Sequence, residues 1–158
     1  LETPYFTDGY EGFFHLTGME GEVERAKLSY IIRDHDREKF EARKTVMEKA
    51  AAEIDRRYGA GTVQLTIRDS YFNMKEKIEP CMFLVDQAKK AMLTLGIEPK
   101  VQPIRGGTDG ARLSFEGLPC PNLCAGGENF HGRFEYVPVE DMETIAKLLA
   151  TILWNTAE

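Results

Sequence analysis

The first half of the chain has a hydrophobic pattern that changes from alternating to helical and back again. Residues 22–34 alternate apolar and polar side chains, which predicts a half-buried β-strand. Residues 36–59 repeat apolar side chains at helical spacing, with Asp36 as candidate N-cap and Gly59 as candidate stop. Residues 61–70 alternate again and predict a second strand. The alternating apolar positions are Ala26, Leu28, Tyr30 and Ile32 in the first strand, and Val63, Leu65 and Ile67 in the second.

The second half predicts three helices separated by short, proline-rich segments. The first helix has Pro80 in its first turn and ends at Gly96, and the second is short, with Thr108 as its N-cap. Residues 98–104 and 118–127 are predicted to be short strands. The third helix covers residues 139–157. Its predicted core face consists of Met142, Ile145, Leu149, Ile152 and Leu153.

Strands and helices that alternate in this way predict an α/β (α+β) protein, with helices packed on an antiparallel sheet. A composition change places a domain boundary near residues 72–78. We therefore expect one domain over residues 1–72 and a second over residues 73–158.

Composition and charge narrow the classes of partner. The 158 residues are 42% hydrophobic and 29% charged, and the net charge of −6 argues against nucleic acid or an anionic membrane surface as partner. No apolar run is long enough to span a membrane, and the first residues do not resemble a signal peptide. Three cysteines favour a reducing compartment, so we expect a cytoplasmic protein. The missing initiator Met suggests that the chain begins partway through a longer protein.

The segment "RGGTDG", residues 105–110, is the first candidate for chemistry. Glycines before a short helix allow a sharp turn and expose backbone N–H groups, and Arg105 has the planar fork that binds a carboxylate or phosphate. An ordinary turn explains the glycines equally well. The segment matches neither the Walker loop nor the dinucleotide-binding glycine motif.

Histidine and arginine residues provide the other candidates. His131 lies in the glycine-rich loop "GGENFHGRFEY", where it could bind a metal, act as a base or bond a carbonyl group. Arg33, at the end of a strand, could pair with Asp34 or Asp36 or recognise an anion. His15 is expected to be partly buried and His35 to be solvated. We interpret Cys120 and Cys124 as structural, because their spacing does not suit zinc.

Three stretches carry a resemblance to a known family. "YEGFFHLTGMEGEVERAKLSYIIRDHDREKFEARK", "DSYFNMKEKIEP" and "PIRGGTDGARLSFEGLPCPNLCAGGENFHGRFEYVPVEDM" resemble, in order, peptidase T. This family comprises tripeptide aminopeptidases of the co-catalytic zinc exopeptidases. The resemblance implies a catalytic domain with two zinc ions and an inserted lid domain that mediates homodimerisation.

The resemblance also implies roles for individual residues. His131 matches a zinc ligand, and Arg105 matches the arginine that holds the free carboxylate of a short peptide. The backbone of Gly106 and Gly107, together with Thr108, would line the same pocket. Arg33 matches a lid arginine that reaches the substrate when the lid closes, and Asn73 is a candidate for the same region. The site residues implied by the resemblance are Arg33, Asn73, Arg105, Gly106, Gly107, Thr108 and His131.

The chain lacks the family's N-terminal half, with its HxD motif, its remaining metal ligands and its general-base glutamate. The resemblance therefore implies a C-terminal portion: a partial lid over residues 1–72 and the last catalytic segment over residues 73–158. We expect no catalytic residue in this chain, no hydrolysis by it alone, and little or no bound zinc. The alternative is a stand-alone ligand-binding or dimerisation module with an anion-binding RGGTDG loop.

Overall fold

The computed structural model describes residues 1–157, which form two compact units. The first unit contains Leu1–Asn73 together with Gln102–Gly107, and the second contains Met74–Val101 together with the chain from Thr108 onward. The described residues hold one two-stranded antiparallel sheet and five α-helices. This is the mixed α/β class that the sequence predicts.

The sheet of the first unit pairs β1 (Phe13–Gly21) with β2 (Ala26–Arg33). The strands are antiparallel, and the register shifts between Leu16 and Gly18. Strand β2 was predicted, whereas β1 was not, because its sequence does not alternate cleanly. We expected one face of β2 to be half-buried. This expectation is wrong for most of the strand, where Leu28, for example, is 52% exposed. A strand of a two-stranded sheet has a single neighbour, and burial in β2 is confined to its last two residues.

Helix α1 (Arg37–Tyr58) follows β2 and has the predicted limits. The Asp36 carboxylate accepts a hydrogen bond from the Lys39 backbone N–H at 2.9 Å, which satisfies one of the free donors of the first turn. Gly59 ends the helix with φ 110°, a conformation that favours glycine. Both cap predictions depend on contacts between near neighbours in sequence, and both are confirmed.

An ion-pair cluster ties α1 to the end of β2. Arg43 donates from Nε to Asp34 at 2.9 Å and from Nη1 to Glu2 at 2.7 Å, and the Asp34 side chain is only 2% exposed. Burial alone lowers the pKa of Arg43, but the hydrogen bonds and charges of Glu2 and Asp34 outweigh it and raise the pKa above its ordinary value. The cluster therefore holds a charged guanidinium against the sheet.

The strand predicted for residues 61–70 is wrong. The structure has no strand there, and the Val63 N–H donates to the Asp55 carboxylate at 2.8 Å instead of to a neighbouring strand. The same carboxylate accepts from Gly61 at 3.3 Å. A residue near the end of α1 therefore binds the backbone of this segment. The alternating pattern reflects half-burial of Val63 and Ile67, not strand pairing.

The second unit is helical. It contains α2 (Lys75–Ile78), a 3-10 turn (Glu79–Cys81), α3 (Phe83–Thr94), α4 (Asp109–Phe115) and α5 (Val139–Ala157). Pro80 lies in the 3-10 turn, so the helix predicted to begin at this proline starts only at Phe83. Gly96 follows α3 with φ 73°, as its role as a stop requires.

Helix α3 packs against α5, and the fully buried apolar residues of these helices are Ala91 and Leu148. The predicted core face of α5 is therefore partly wrong. Leu149 and Leu153 remain 46% and 71% exposed, while Leu148, which was not predicted, is completely buried. Helix α5 is apolar around much of its circumference, so periodicity could not select the side that meets α3.

The strands predicted for residues 98–104 and 118–127 are also wrong, and the isolated bridge Glu128–Tyr136 is the only pairing near them among the described residues. Prolines in both segments remove the backbone donors that a sheet requires. The Cys120 N–H donates to the Ser114 hydroxyl at 3.0 Å. The Ser114 side chain on α4 thus accepts the hydrogen bond that a neighbouring strand would otherwise accept. Within residues 1–157, no helix has the length and apolar character needed to cross a membrane.

Candidate functional site

The loop Arg105–Gly107 lies in the first unit, where the arginine is held rigidly. The Arg105 guanidinium lies 4.9 Å from the centre of the Phe13 ring. Its Nη1 donates to the Thr7 carbonyl and its Nη2 to the Thr7 hydroxyl. Its Nε is buried and has no hydrogen-bond partner among the described residues. Arg105 is thus oriented by a ring and a threonine, with one donor left unsatisfied.

Arg33 approaches the same loop from the end of β2. Its Nη1 donates to the Tyr71 hydroxyl at 2.6 Å, and its guanidinium lies 5.4 Å from the centre of the Tyr71 ring. A methyl group on Gly107 would overlap the Tyr71 hydroxyl and lie 3.3 Å from Arg33 Nη2. Arg33, Tyr71 and Gly107 are therefore in direct proximity, although they are far apart in sequence.

Neither arginine has a carboxylate partner. Within residues 1–157 no Asp or Glu oxygen lies within 4.0 Å of the side-chain nitrogens of Arg33 or Arg105, and both residues are half-buried. Of the two alternatives for Arg33, pairing with Asp34 or Asp36 is wrong, because Asp34 binds Arg43 and Asp36 caps α1. Each of these half-buried guanidinium groups therefore keeps a positive charge that no carboxylate within residues 1–157 neutralises.

Asn73 and the two histidines of the first unit have different surroundings. Asn73 Nδ2 donates to the His35 carbonyl at 3.0 Å, which fixes the segment that carries Tyr71. His35 is half-buried, with its ring edge-on to Tyr10 at 5.0 Å, so the expectation that it is solvated is wrong. His15 lies exposed on β1, contrary to the expected partial burial.

Thr108 belongs to the second unit and caps α4 as predicted. Its hydroxyl oxygen accepts from the Ala111 N–H at 3.2 Å and from Asn122 Nδ2 at 3.3 Å. The two acceptor positions of this oxygen are therefore used within its own unit. Its suggested place in the substrate pocket remains a prediction.

His131 lies exposed in a tight turn of the second unit. Its backbone has φ 61°, and its N–H donates to the Glu135 carboxylate at 3.1 Å. Gly132 closes the turn by donating to the Asn129 carbonyl at 2.8 Å. Histidine tolerates this left-handed conformation better than most residues other than glycine.

The described residues include no cluster of three or more His, Cys, Asp or Glu that could hold a metal ion. A zinc site needs three or four such ligands. The residues of this chain therefore do not by themselves fit a two-zinc centre, and His131 offers a single imidazole.

Tyr71 is the residue that sequence reasoning missed. It lies in the segment "DSYFNM", which is part of the family resemblance, but nothing in its spacing indicates that its hydroxyl reaches Arg33, 38 residues away. Such a contact is visible only after folding.

Comparisons with known proteins give a consistent result. No protein-family model matches the chain. The chain is 57% identical over 152 residues to peptidase T of Geobacillus kaustophilus and 52% identical over 151 residues to that of Bacillus subtilis. Each match covers 96% of this chain and 37% of the relative.

A crystal structure of the aminopeptidase PepT from Bacillus cereus matches with a TM-score of 0.62 at 21% identity, over 93% of this chain and 40% of that one. This match supports the fold, and the sequence matches confirm the resemblance described above. The chain is thus related over nearly all of its length to peptidase T, and it spans a little over a third of the length of those relatives.

Proposed function

We propose that this chain is a segment of a tripeptide aminopeptidase and that its first unit binds the free carboxylate of a short peptide. The observation that carries the proposal is the pair of half-buried guanidinium groups, Arg33 and Arg105, which lack carboxylate partners beside the Gly106–Gly107 backbone. A carboxylate would supply the missing counter-charge.

The surroundings of Arg105 support this role. An arginine loses much rotamer freedom when it binds an anion, and less is lost when the side chain is already fixed. Phe13 and Thr7 fix it here. Phe13 itself is buried, so the platform beneath the guanidinium is rigid.

Further elements of the proposal rest on the relatedness to peptidase T. We propose that residues 1–72 belong to a lid that mediates homodimerisation, and residues 73–158 to the catalytic domain of a cytoplasmic enzyme. His131 would be one zinc ligand of the larger protein. Because the chain alone does not fit a two-zinc site, we assign no hydrolytic step to it.

The test is to titrate the 158-residue chain with tri-alanine and with its C-terminal amide, following the backbone N–H signals of Gly106 and Gly107 by NMR. We expect preferential binding of the free carboxylate. Arg33→Gln and Arg105→Gln should each weaken tri-alanine binding by about tenfold or more, since hydrogen bonds to charged groups contribute about 1.5–3 kcal/mol.

Arg25→Gln is the matched control. Arg25 is exposed, lies in the same unit and carries the same charge. Its replacement should leave the affinity for tri-alanine unchanged. Equal binding of acid and amide, no binding of either, or an equal loss in the control would contradict the proposal.

A further inference from the structure

Tyr71 connects Arg33 to the glycine loop. It is half-buried, its hydroxyl accepts the Arg33 Nη1 hydrogen bond at 2.6 Å, and its ring lies beneath the guanidinium at 5.4 Å. The other side of the hydroxyl faces Gly107 so closely that no side chain fits there. One residue thus contacts both the cation and the loop.

We propose that Tyr71 is a positioning residue for anion binding, which holds the Arg33 guanidinium so that Nη2 stays directed toward the Gly107 backbone. This inference rests on the proposed carboxylate-binding function. With Nη1 bound to Tyr71, Nη2 remains to donate to the carboxylate.

Without the Tyr71 contact, the Arg33 side chain would be flexible. A free arginine side chain samples many rotamers, so holding its guanidinium in one orientation costs entropy. The nearby acids cannot fix it, because Asp34 binds Arg43 and Asp36 caps α1. Within residues 1–157, Tyr71 provides both the hydrogen bond and the ring contact found for this guanidinium.

The first test is Tyr71→Phe in the 158-residue chain, with the same tri-alanine titration. The variant keeps the ring and removes only the hydroxyl. We expect affinity for tri-alanine to fall about tenfold, with affinity for the peptide amide unchanged. Tyr58→Phe is the control, since Tyr58 is an exposed tyrosine on α1, and it should bind like the wild type.

The second test distinguishes positioning from a general structural role. In the Arg33→Gln background, Tyr71→Phe should cause no further loss, because Tyr71 acts through Arg33. Arg33→Lys keeps the charge but replaces the planar fork with a flexible ammonium group. We expect this variant to lose most of the carboxylate preference with Tyr71 intact. It therefore tests whether the orientation of the Arg33 guanidinium matters, even if Tyr71→Phe lowers stability.

The outcomes separate the two proposals. If Arg33→Gln and Arg105→Gln weaken carboxylate binding but Tyr71→Phe does not, the positioning role is overturned and the proposed function stands. Additive losses from Arg33→Gln and Tyr71→Phe, or full retention in Arg33→Lys, would also overturn positioning. If the wild-type chain does not prefer the carboxylate, both proposals fail.

Discussion

At the scale of single residues, identical side chains have different roles because their neighbours differ. Arg43 is neutralised by Asp34 and Glu2, which raise its pKa and tie a helix to the sheet. Arg33 and Arg105 are held by a tyrosine, a threonine and a phenylalanine, which orient a guanidinium without neutralising it. Sequence reasoning proposed both as possible anion-binding residues and the family resemblance implied their roles, while the structure shows that neither has a carboxylate partner within residues 1–157.

Gly107→Ala tests the close approach of the Tyr71 side chain to the Gly107 backbone. The added methyl group would meet Tyr71 Cζ at 2.9 Å and overlap its hydroxyl, so the ring or the loop must move. We expect the free energy of unfolding to fall by about 1–3 kcal/mol, as for other overpacked sites. Urea denaturation measures the change.

Gly106→Ala is the matched control for this prediction. A methyl group there has no atom within 4 Å, so stability should change by no more than about 0.5 kcal/mol. If the two variants were equally stable, Tyr71 would not pack on Gly107 as the structure shows.

At the scale of elements, local signals located α1, α4 and α5 well but predicted three strands that do not form. Asp36 and Thr108 cap their helices through contacts three residues away, which a sequence displays directly. The strands predicted from alternation at residues 61–70, 98–104 and 118–127 do not form. A strand needs a partner elsewhere in the chain, and alternation records only that one side of a segment is covered.

Helix α1 has a pH-dependent ion-pair group near its C-terminal end. Hydrogen bonds from Arg56, and then from Arg57, lower the pKa of Glu53 below its ordinary value of 4.5. A lowered carboxyl pKa means that the stabilisation is fully present above about pH 4.5 and is lost as pH falls through the folded-state value. We therefore expect the wild type to exceed Glu53→Gln in thermal midpoint at pH 6.

The difference between the thermal midpoints of these two proteins should shrink as the pH falls through the lowered folded-state pKa of Glu53 and the carboxylate becomes protonated. Circular dichroism of both proteins over this pH range measures it, and comparison with the Gln variant cancels the titration of other acids. A difference that stays constant with pH would show that Glu53 acts through packing and not through its charge.

At the scale of the whole molecule, the chain exposes an unusually large surface. Its accessible area is 12,363 Å² for a mass of 17.9 kDa. A folded monomer of this mass exposes about 8,000 Å², and two separate proteins of half the mass expose about 9,700 Å² together. The buried apolar residues number only five within the described part of the chain: Phe13, Ile78, Ala91, Ala111 and Leu148. Much of the apolar surface is therefore available to a partner.

We expect the isolated chain to self-associate through this surface as its concentration rises, which sedimentation measures. Leu153 on α5 is 71% exposed, and Leu153→Glu should reduce the association. Lys147→Gln, on the same helix, changes the net charge by the same amount and should have a smaller effect. A monomer at all concentrations would contradict the prediction.

By itself, the sequence determined the mixed α/β class, the limits of α1 and α5, both helix caps and the relationship to peptidase T, because these depend on local contacts or on motifs read directly from the chain. Only the tertiary structure decided that Leu148, and not Leu149, is buried, that residues 61–70 bind a helix side chain, and that Arg33 meets Tyr71 and Gly107. Each of these depends on which surfaces meet after folding, and side-chain spacing along one segment does not specify the surface that another segment presents.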